Sequence, residues 1–421
     1  MDRTILVIGT YDTKNAELDY TCDRIRSLGG KVITMDVSVL GEPAEPTDIS
    51  KHQVAEAAGA SIAQAVSTEN ENQAMQIMAK GAAFLTARLY AEGKIHGMLA
   101  LGGTMGTDLA LDCARVLPLG VPKYVVSTIA FSALIPPERL TADIQMILWA
   151  GGLYGLNEIC KASLSQAAGA VLGAAMAVEV PHPDRPVIAM VSFGSSALKY
   201  MVHLRQPLLD RGFSVAVFHA TGMGGMAMES LAAQGYFAAV LDLAVAEVGN
   251  LMVGTVVNAG ANRMTSAGLA GIPQIVAPGF GDMVDFAAWA PVPERLRGRA
   301  YHAHNRLIAS ASLSGSERRE LARDVARRLK MAKAPVHFVL PTQGVQVWDT
   351  DGMPAHDPAA LAEMVDEYKK VMTYPISLSV VEAHINDIAF SEAVLKVVDA
   401  WIADETIKMK RSMADVRPKI G

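Results

Sequence analysis

Gly97-Met98-Leu99-Ala100-Leu101-Gly102-Gly103-Thr104-Met105-Gly106-Thr107-Asp108 is the stretch that decides the fold. Its first five residues are a short apolar run of strand character, and three glycines with two threonine hydroxyls follow at once. A helix is predicted from Thr107 to Val116. Open α/β sheets bind ligands at such junctions, outside the carboxyl ends of their strands. Glycine lets the backbone approach a ligand closely, and the free N–H groups of a helix start favour an anion. Gly102, Gly103 and Gly106 therefore read as a phosphate cradle, with Thr104 and Thr107 adding hydroxyl donors. A tight turn needing positive φ would use the same glycines.

The junction recurs on both sides. Thr4–Thr10 (TILVIGT) runs into Tyr11-Asp12-Thr13-Lys14. Lys14 offers a point charge for phosphate, and Asp12 an oxygen for a hydroxyl or a hydrated Mg²⁺. Asp12 or Thr13 can equally cap the helix that follows. In the second half, Val187–Ser192 runs into Phe193-Gly194-Ser195-Ser196, and Phe213–His219 into Ala220-Thr221-Gly222-Met223-Gly224-Gly225. Gly194, Ser195, Gly224 and Gly225 thus stand at further anion-binding positions.

Between these junctions strand and helix patterns alternate, which predicts α/β architecture with mainly parallel, doubly wound sheets flanked by helices. Pro181-His182-Pro183-Asp184-Arg185-Pro186 interrupts the alternation. Three prolines so close together stop a helix and favour an extended linker, which separates a domain over 1–180 from one over 187–421. The apolar stretch Ala162–Val178 predicts a buried helix, or one that packs on a second subunit. A final helix is expected over Ser391–Lys410.

With 51% hydrophobic and 19% charged residues the chain has ample material for cores. A net charge of −6 argues against a nucleic-acid partner. The three cysteines lie far apart, form no CxxC and read as buried free thiols of a reducing compartment. Asp2-Arg3 leads straight into a strand, so no signal peptide is read and the expected location is the cytoplasm, with no membrane partner.

Neither a GxxxxGK[ST] loop nor a GxSxG elbow occurs. His219, ending a strand beside a glycine turn, is a candidate general base. Glu229, Asp242 and Glu247 are candidate acids, although carboxylates at such places also cap helices. His302 and His304 can share a strand face but have no third ligand close in sequence, which argues against zinc. His384-Ile385-Asn386-Asp387 follows a strand and precedes a helix, as a cleft edge or as a cap.

Taken together, several segments resemble the ATP-binding domain family named after the tomato mosaic virus resistance protein. They are Gly9–Lys14, Leu101–Leu109, Gly120–Lys123 with Ser127-Thr128, Ile159–Lys161, Val217–Glu229, Leu241–Leu243, Asp282–Phe286, His302–Asn305 and His384–Asp387. The resemblance spans nearly the whole chain. It implies two Rossmann-like domains with a cleft between them, ATP with Mg²⁺ as ligand, and a homodimer. By position it puts the nucleotide on Thr10, Asp12, Thr13, Lys14, Gly102, Gly103, Thr104, Gly106, Thr107, Ser127 and Thr128, with Asp12 at the metal. It turns His219–Gly225 toward the cleft.

The chain departs from the family's pattern at Ala244–Ala246, Gly279–Phe286, Ala309–Ser312 and Gln346–Asp349. These changes remove hydroxyls and a guanidinium, groups that bind anions. The expected function is an ATP/Mg²⁺-binding protein that activates or phosphorylates a small acid, with His219, Glu247 and His384 doing acid–base work. A nucleotide-dependent protein-interaction module without turnover, and a nucleotide-independent hydrolase or lyase of a small anion, remain as alternatives.

Overall fold

A computed structural model of the chain describes residues 3–149, 151–181, 184–193, 198–299, 301–353 and 355–409. They form two compact units that divide at residues 182–183. The first unit runs β1 (Thr4–Gly9), α1 (Asn15–Ser27), β2 (Lys31–Asp36), α2 (Lys51–Ala57), α3 (Ile62–Ser67) and α4 (Glu71–Ala91). It continues with β3 (Gly97–Gly102), α5 (Thr104–Arg115), β4 (Lys123–Ser127), β5 (Ile144–Leu148) and α6 (Glu158–Ala177). Its five strands are all parallel, in the order β2-β1-β3-β4-β5.

Successive residues of a strand face opposite sides of the sheet, so a strand covered on both faces must be apolar throughout. β3 is buried along its whole length. Leu6, Ile8, Met98, Ala100 and Val125 pack with Met78, Leu85, Leu109 and Cys113 from α4 and α5. Ile5, Val7, Leu99, Leu101 and Val126 pack on the other side with Leu18, Ile25, Leu164 and Val171 from α1 and α6. Among the described residues, α6 is the one helix long and apolar enough, by length and composition, to cross a membrane. Here its Cys160, Leu164, Ala168 and Val171 are buried in that core.

The second unit runs β6 (Val187–Ser192), α7 (Leu198–Asp210), β7 (Ser214–His219), α8 (Met223–Ala233), β8 (Ala239–Ala244), α9 (Ala246–Met252), α10 (Ser266–Leu269) and β9 (Gln274–Gly279). β10 (Met283–Ala287), β11 (Tyr301–Ala303) and β12 (Ile308–Ser312) follow, then α11 (Gly315–Leu329), β13 (Val336–Pro341), α12 (Pro358–Val371), β14 (Ile376–Val381) and α13 (Ile388–Ala403). Six strands make a parallel sheet in the order β14-β13-β9-β8-β6-β7. β10, β12 and β11 make a separate antiparallel sheet. The two-domain, mainly parallel α/β reading thus holds, with one antiparallel addition.

Three details differ from expectation. α5 starts at Thr104, not Thr107, because Gly103 is itself the N-cap and the glycine loop is the first helical turn. α2 and α3 occupy a stretch with no predicted helix; each begins with a capping box, Ser50 with Gln53 and Ser61 with Gln64. α13 ends at Ala403, where the Asp404 N–H bonds back to the helix and Glu405 takes a left-handed φ of 62°.

Candidate functional site

In the first unit β2 lies on one side of β1 and β3 on the other, so the chain reverses its direction of winding between β1 and β3. That reversal leaves a crevice at the carboxyl ends of the two strands, the usual ligand position in such sheets. A cavity of about 400 Å³ opens there. Thr10, Asp12, Thr13 and Lys14 line it from the β1–α1 junction, and Leu101–Gly106 from the β3–α5 junction. Val39 and Leu40, beyond β2, and Val66, Glu69 and Met75, from α3, α4 and their connection, complete the wall.

Two helix starts meet this cavity. Lys14 is the N-cap of α1 and Gly103 that of α5, and neither helix has a side-chain cap. The alternative role of Asp12 or Thr13, as a cap of α1, is not found. In α5 the first helical bond runs from Thr107 N–H to Gly103 O, at 2.9 Å. The N–H groups of Thr104, Met105 and Gly106 therefore lie outside the helical ladder. A methyl group on Gly102 would sit 2.6 Å from Gly106 Cα, so the strand end and the helix start touch because Gly102 has no side chain, whereas a methyl on Gly106 would lie 3.3 Å from Leu101 O. A methyl on Gly103 would find nothing nearer than Thr128 Oγ1 at 3.7 Å.

The β1–α1 loop is tied from below. Asp36, ending β2, accepts hydrogen bonds from Tyr11 N–H at 3.2 Å and from the N–H and hydroxyl of Ser38. Asp12 N–H donates to Ser38 Oγ, and its Oδ2 accepts from Gly41 N–H, both at 3.1 Å. Asp12 Oδ1 is buried without a hydrogen-bond partner. The hydroxyls of Thr10 and Thr13 lie 3.1 Å apart. Thr107 and Ser127 point inward: their hydroxyls pair at 2.7 Å, both wholly buried, and Ser127 Oγ also accepts from Ile129 N–H. Thr128 N–H donates to Gly102 O at 3.2 Å. Thr107, Ser127 and Thr128 thus brace the cradle without lining it. Asp36 was missed in the sequence, although an acid ending the second strand of an α/β unit is a legible signal.

In the second unit the loop with Gly194 and Ser195 lies outside the described residues. His219 ends β7, the edge strand, with its exposed ring edge-on to Phe193 at 5.9 Å. Partial burial holds its pKa below the ordinary histidine value. The turn that follows is built around Glu247, whose Oε1 accepts from Gly222 N–H at 2.6 Å and Gly225 N–H at 3.2 Å. A side chain on Gly225 would overlap that carboxylate, and one on Gly224 would overlap the His219 carbonyl. Glu247 therefore occupies, from within the protein, the place at the start of α8 where a free anion would sit. Its Oε2 takes Arg263 Nε at 2.6 Å, and both side chains are wholly buried. Burial pushes the Glu247 pKa up, against the pull of Arg263.

His384 is held at both ring nitrogens. Nδ1 accepts from Asn386 N–H at 3.1 Å, so Nε2 carries the proton and donates to Gln346 O at 3.0 Å. Burial holds this ring neutral, with a pKa below the usual value. Among the described residues no hydrogen bond joins His219, Glu247 and His384, and no three His, Cys, Asp or Glu side chains form a metal-binding group. The three cysteines are free and buried.

Comparison with known proteins gives these sites a family. Residues 3–180 match the family model described as "Uncharacterised protein family (UPF0261) N-terminal domain", and residues 185–402 the corresponding C-terminal domain. A UPF0261 protein of Brucella melitensis is 53% identical over 97% of this chain and 98% of its own length. One of Clostridium tetani is 36% identical over 84% of this chain and 87% of its own. The tomato (Solanum lycopersicum) ToMV susceptible protein tm-1(GCR26) is 28% identical over 78% of this chain, which is 44% of the tomato protein. Among solved structures, a thioesterase domain from the curacin biosynthetic pathway aligns with TM-score 0.26 and 9% identity, covering 52% of this chain and 92% of its own. Escherichia coli ADP-heptose heptosyltransferase II aligns with TM-score 0.20 and 11% identity, covering 96% and 99%. Likeness at that level carries no argument about function. The sequence matches, which run through both units and reach the tomato protein, show that the chain belongs to the UPF0261 family.

Proposed function

We propose that the first unit binds ATP with Mg²⁺ in the crevice between β1 and β3. The observation that carries this reading is the convergence of two uncapped helix starts and Lys14 on one cavity of about 400 Å³. Free N–H groups and the positive ends of two helices attract a polyanion, and an ammonium adds a point charge. The far wall, with Val39, Leu40, Val66 and Met75, offers an apolar surface to a nucleobase. Asp12 fits the metal: Mg²⁺ in nucleotide sites keeps several waters and uses one or two carboxylates plus phosphate oxygens. Its unpartnered, buried Oδ1 is a donor of that kind. The metal would neutralise phosphate charge, while this chain's part is to hold and orient the phosphates.

The reaction that fits is phosphoryl or nucleotidyl transfer to a small acid. His219 is the candidate base, since its ring reaches solvent whereas Glu247 and His384 have their polar atoms engaged. We also read the chain as a cytoplasmic homodimer.

Calorimetric titration with a non-hydrolysable ATP analogue, with and without Mg²⁺, tests the reading. Saturable binding that Lys14→Ala weakens and Gly103→Val abolishes is the expected result. No binding at millimolar analogue would overturn it and favour a nucleotide-free enzyme acting on a small anion.

A further inference from the structure

The antiparallel sheet of the second unit carries a chain of hydrogen bonds from solvent to a buried acid. Ser310 on β12 lies opposite Asp285 on β10 and His302 on β11. The Ser310 hydroxyl donates to Asp285 Oδ1, and His304 Nε2 lies 3.0 Å from Ser310 Oγ. Ser310 and Asp285 are wholly buried, whereas His304 is exposed. A hydroxyl has one proton, and Ser310 gives it to Asp285, so its lone pair accepts from His304 Nε2–H. That assignment leaves His304 Nδ1 as a bare lone pair.

The ring is also fixed in place. His304 stacks on Trp348 with centroids 4.9 Å apart and planes 14° apart, and His302 stands edge-on to both rings. His304 N–H donates to Ile308 O at 3.0 Å, and Asn305 Oδ1 accepts from Leu307 N–H at 2.7 Å, which closes the hairpin turn. Asp285 is set by its own N–H, which donates to Asn250 Oδ1 at 2.7 Å. The ionisable groups that bear on the relay are His302 on β11, beside the ring, Asp285 on β10 beyond Ser310, and Glu247 on α9, which acts on Asp285. Partial burial and His302 hold the His304 pKa below the ordinary value. Burial pushes the Asp285 carboxyl up to about 7, against the Ser310 bond.

We propose that His304 is the proton acceptor of a site on this sheet, taking a proton at Nδ1 from a planar acid with a delocalised anion, a phenol or an enol. The substrate O–H bond breaks and its electron pair stays on the oxygen. The proton forms the new bond at Nδ1, while Nε2–H keeps donating to Ser310 Oγ and the Ser310 hydroxyl keeps its own bond to Asp285 Oδ1. Two observations set the substrate class. A ring held below the ordinary histidine value is a weak base, matched to a comparably strong acid such as a phenol or enol with a delocalised anion. Trp348 and His302 add flat aromatic surface beside the imidazole, which suits a planar ligand. Ser310 and Asp285 are positioning residues. The site is independent of the nucleotide reading.

The test uses the full chain without nucleotide and 4-nitrophenol as the probe. Below the probe's own pKa, added protein is expected to raise the phenolate absorbance saturably, and His304→Gln to abolish the rise. Asp285→Asn and Ser310→Ala are expected to weaken it and move its pH profile. Heteronuclear NMR of the imidazole nitrogens reads the tautomer directly, with Nε2–H and a bare Nδ1 expected for His304. No saturable signal from the native chain, an equal signal from His304→Gln, or an Nδ1–H tautomer each overturns the proposal.

Discussion

Arg263 Nη2 lies 2.7 Å from Asp242 Oδ1, and neither side chain reaches solvent. The same guanidinium also bonds to Asp242 Oδ2 through Nη1, to Glu247 through Nε, and reaches Glu229 at 3.4 Å. Glu229 in turn accepts from the N–H groups of Met264 and Ser266. One buried cation thus joins β8, the start of α8 by way of Glu247, and the segment leading into α10. Arg263→Ala strands three carboxylates in the core and is expected to cost about 3–5 kcal/mol in urea denaturation. Arg263→Lys should restore little, because an ammonium cannot form the forked pair with Asp242.

Gly102 and Gly103 separate structural need from ligand need. Gly102→Ala pushes a methyl against Gly106 Cα and is expected to cost about 1–3 kcal/mol. In the same position one residue on, Gly103→Ala meets no close neighbour. Its melting temperature should stay near that of the native chain while affinity for the ATP analogue falls. Equal destabilisation of both variants would show that the second glycine also serves the fold.

The buried acids of the second unit make it more stable on mild acidification. Burial raises Asp285 and Asp349 to about 7, with Asp282 adding to the effect at Asp349. An unfolded Asp titrates near ~3.9. Between those values the folded state binds more protons than the unfolded one, so stability falls as pH rises from about 4 to 7. For Asp285, a shift of this size is worth on the order of 4 kcal/mol. Asp285→Asn should flatten that slope in urea denaturation series across the range. An unchanged slope would mean that Asp285 stays ionised when folded.

His384 works in the opposite direction. Its ring is neutral when folded and titrates below the unfolded value of about 6.5, so its contribution is lost as pH falls through that value. Gly344, at φ 131°, lies against the ring, and a methyl there would sit 2.8 Å from His384 Nε2. Gly344→Ala is expected to destabilise by at least about 1 kcal/mol and to displace the His384–Gln346 bond, visible as a changed His384 imidazole signal.

The first unit was largely legible because its strands are apolar runs that end in small residues: β3 begins at Gly97 and runs into its glycines, and β1 ends where the glycine of Gly9-Thr10 begins the turn. The start of α5 was not, since Gly103-Thr104-Met105-Gly106 has the composition of a loop, while in the fold it is the first helical turn, packed against Gly102. The antiparallel sheet was hidden for a different reason. All three residues of β11 are exposed, so the strand shows no alternation of apolar and polar positions. Arg263 could not be found at all: its partners lie 16, 21 and 34 residues away in sequence, and nothing local distinguishes a buried arginine from a solvated one.

The cradle at Gly103–Gly106 is made of peptide groups, and that has a consequence for how such a protein diversifies. Substitution elsewhere changes side chains and leaves N–H groups where they are, so on the proposed nucleotide reading the hold of this corner on a phosphate is shielded from drift as long as Gly102, Gly103 and Gly106 stay small. On that reading, preference among nucleotides falls to the α3–α4 rim around Val66, Glu69 and Met75, whose side chains line the same cavity. The proposed site therefore divides a backbone grip from a side-chain label, so selectivity can change without the grip being rebuilt.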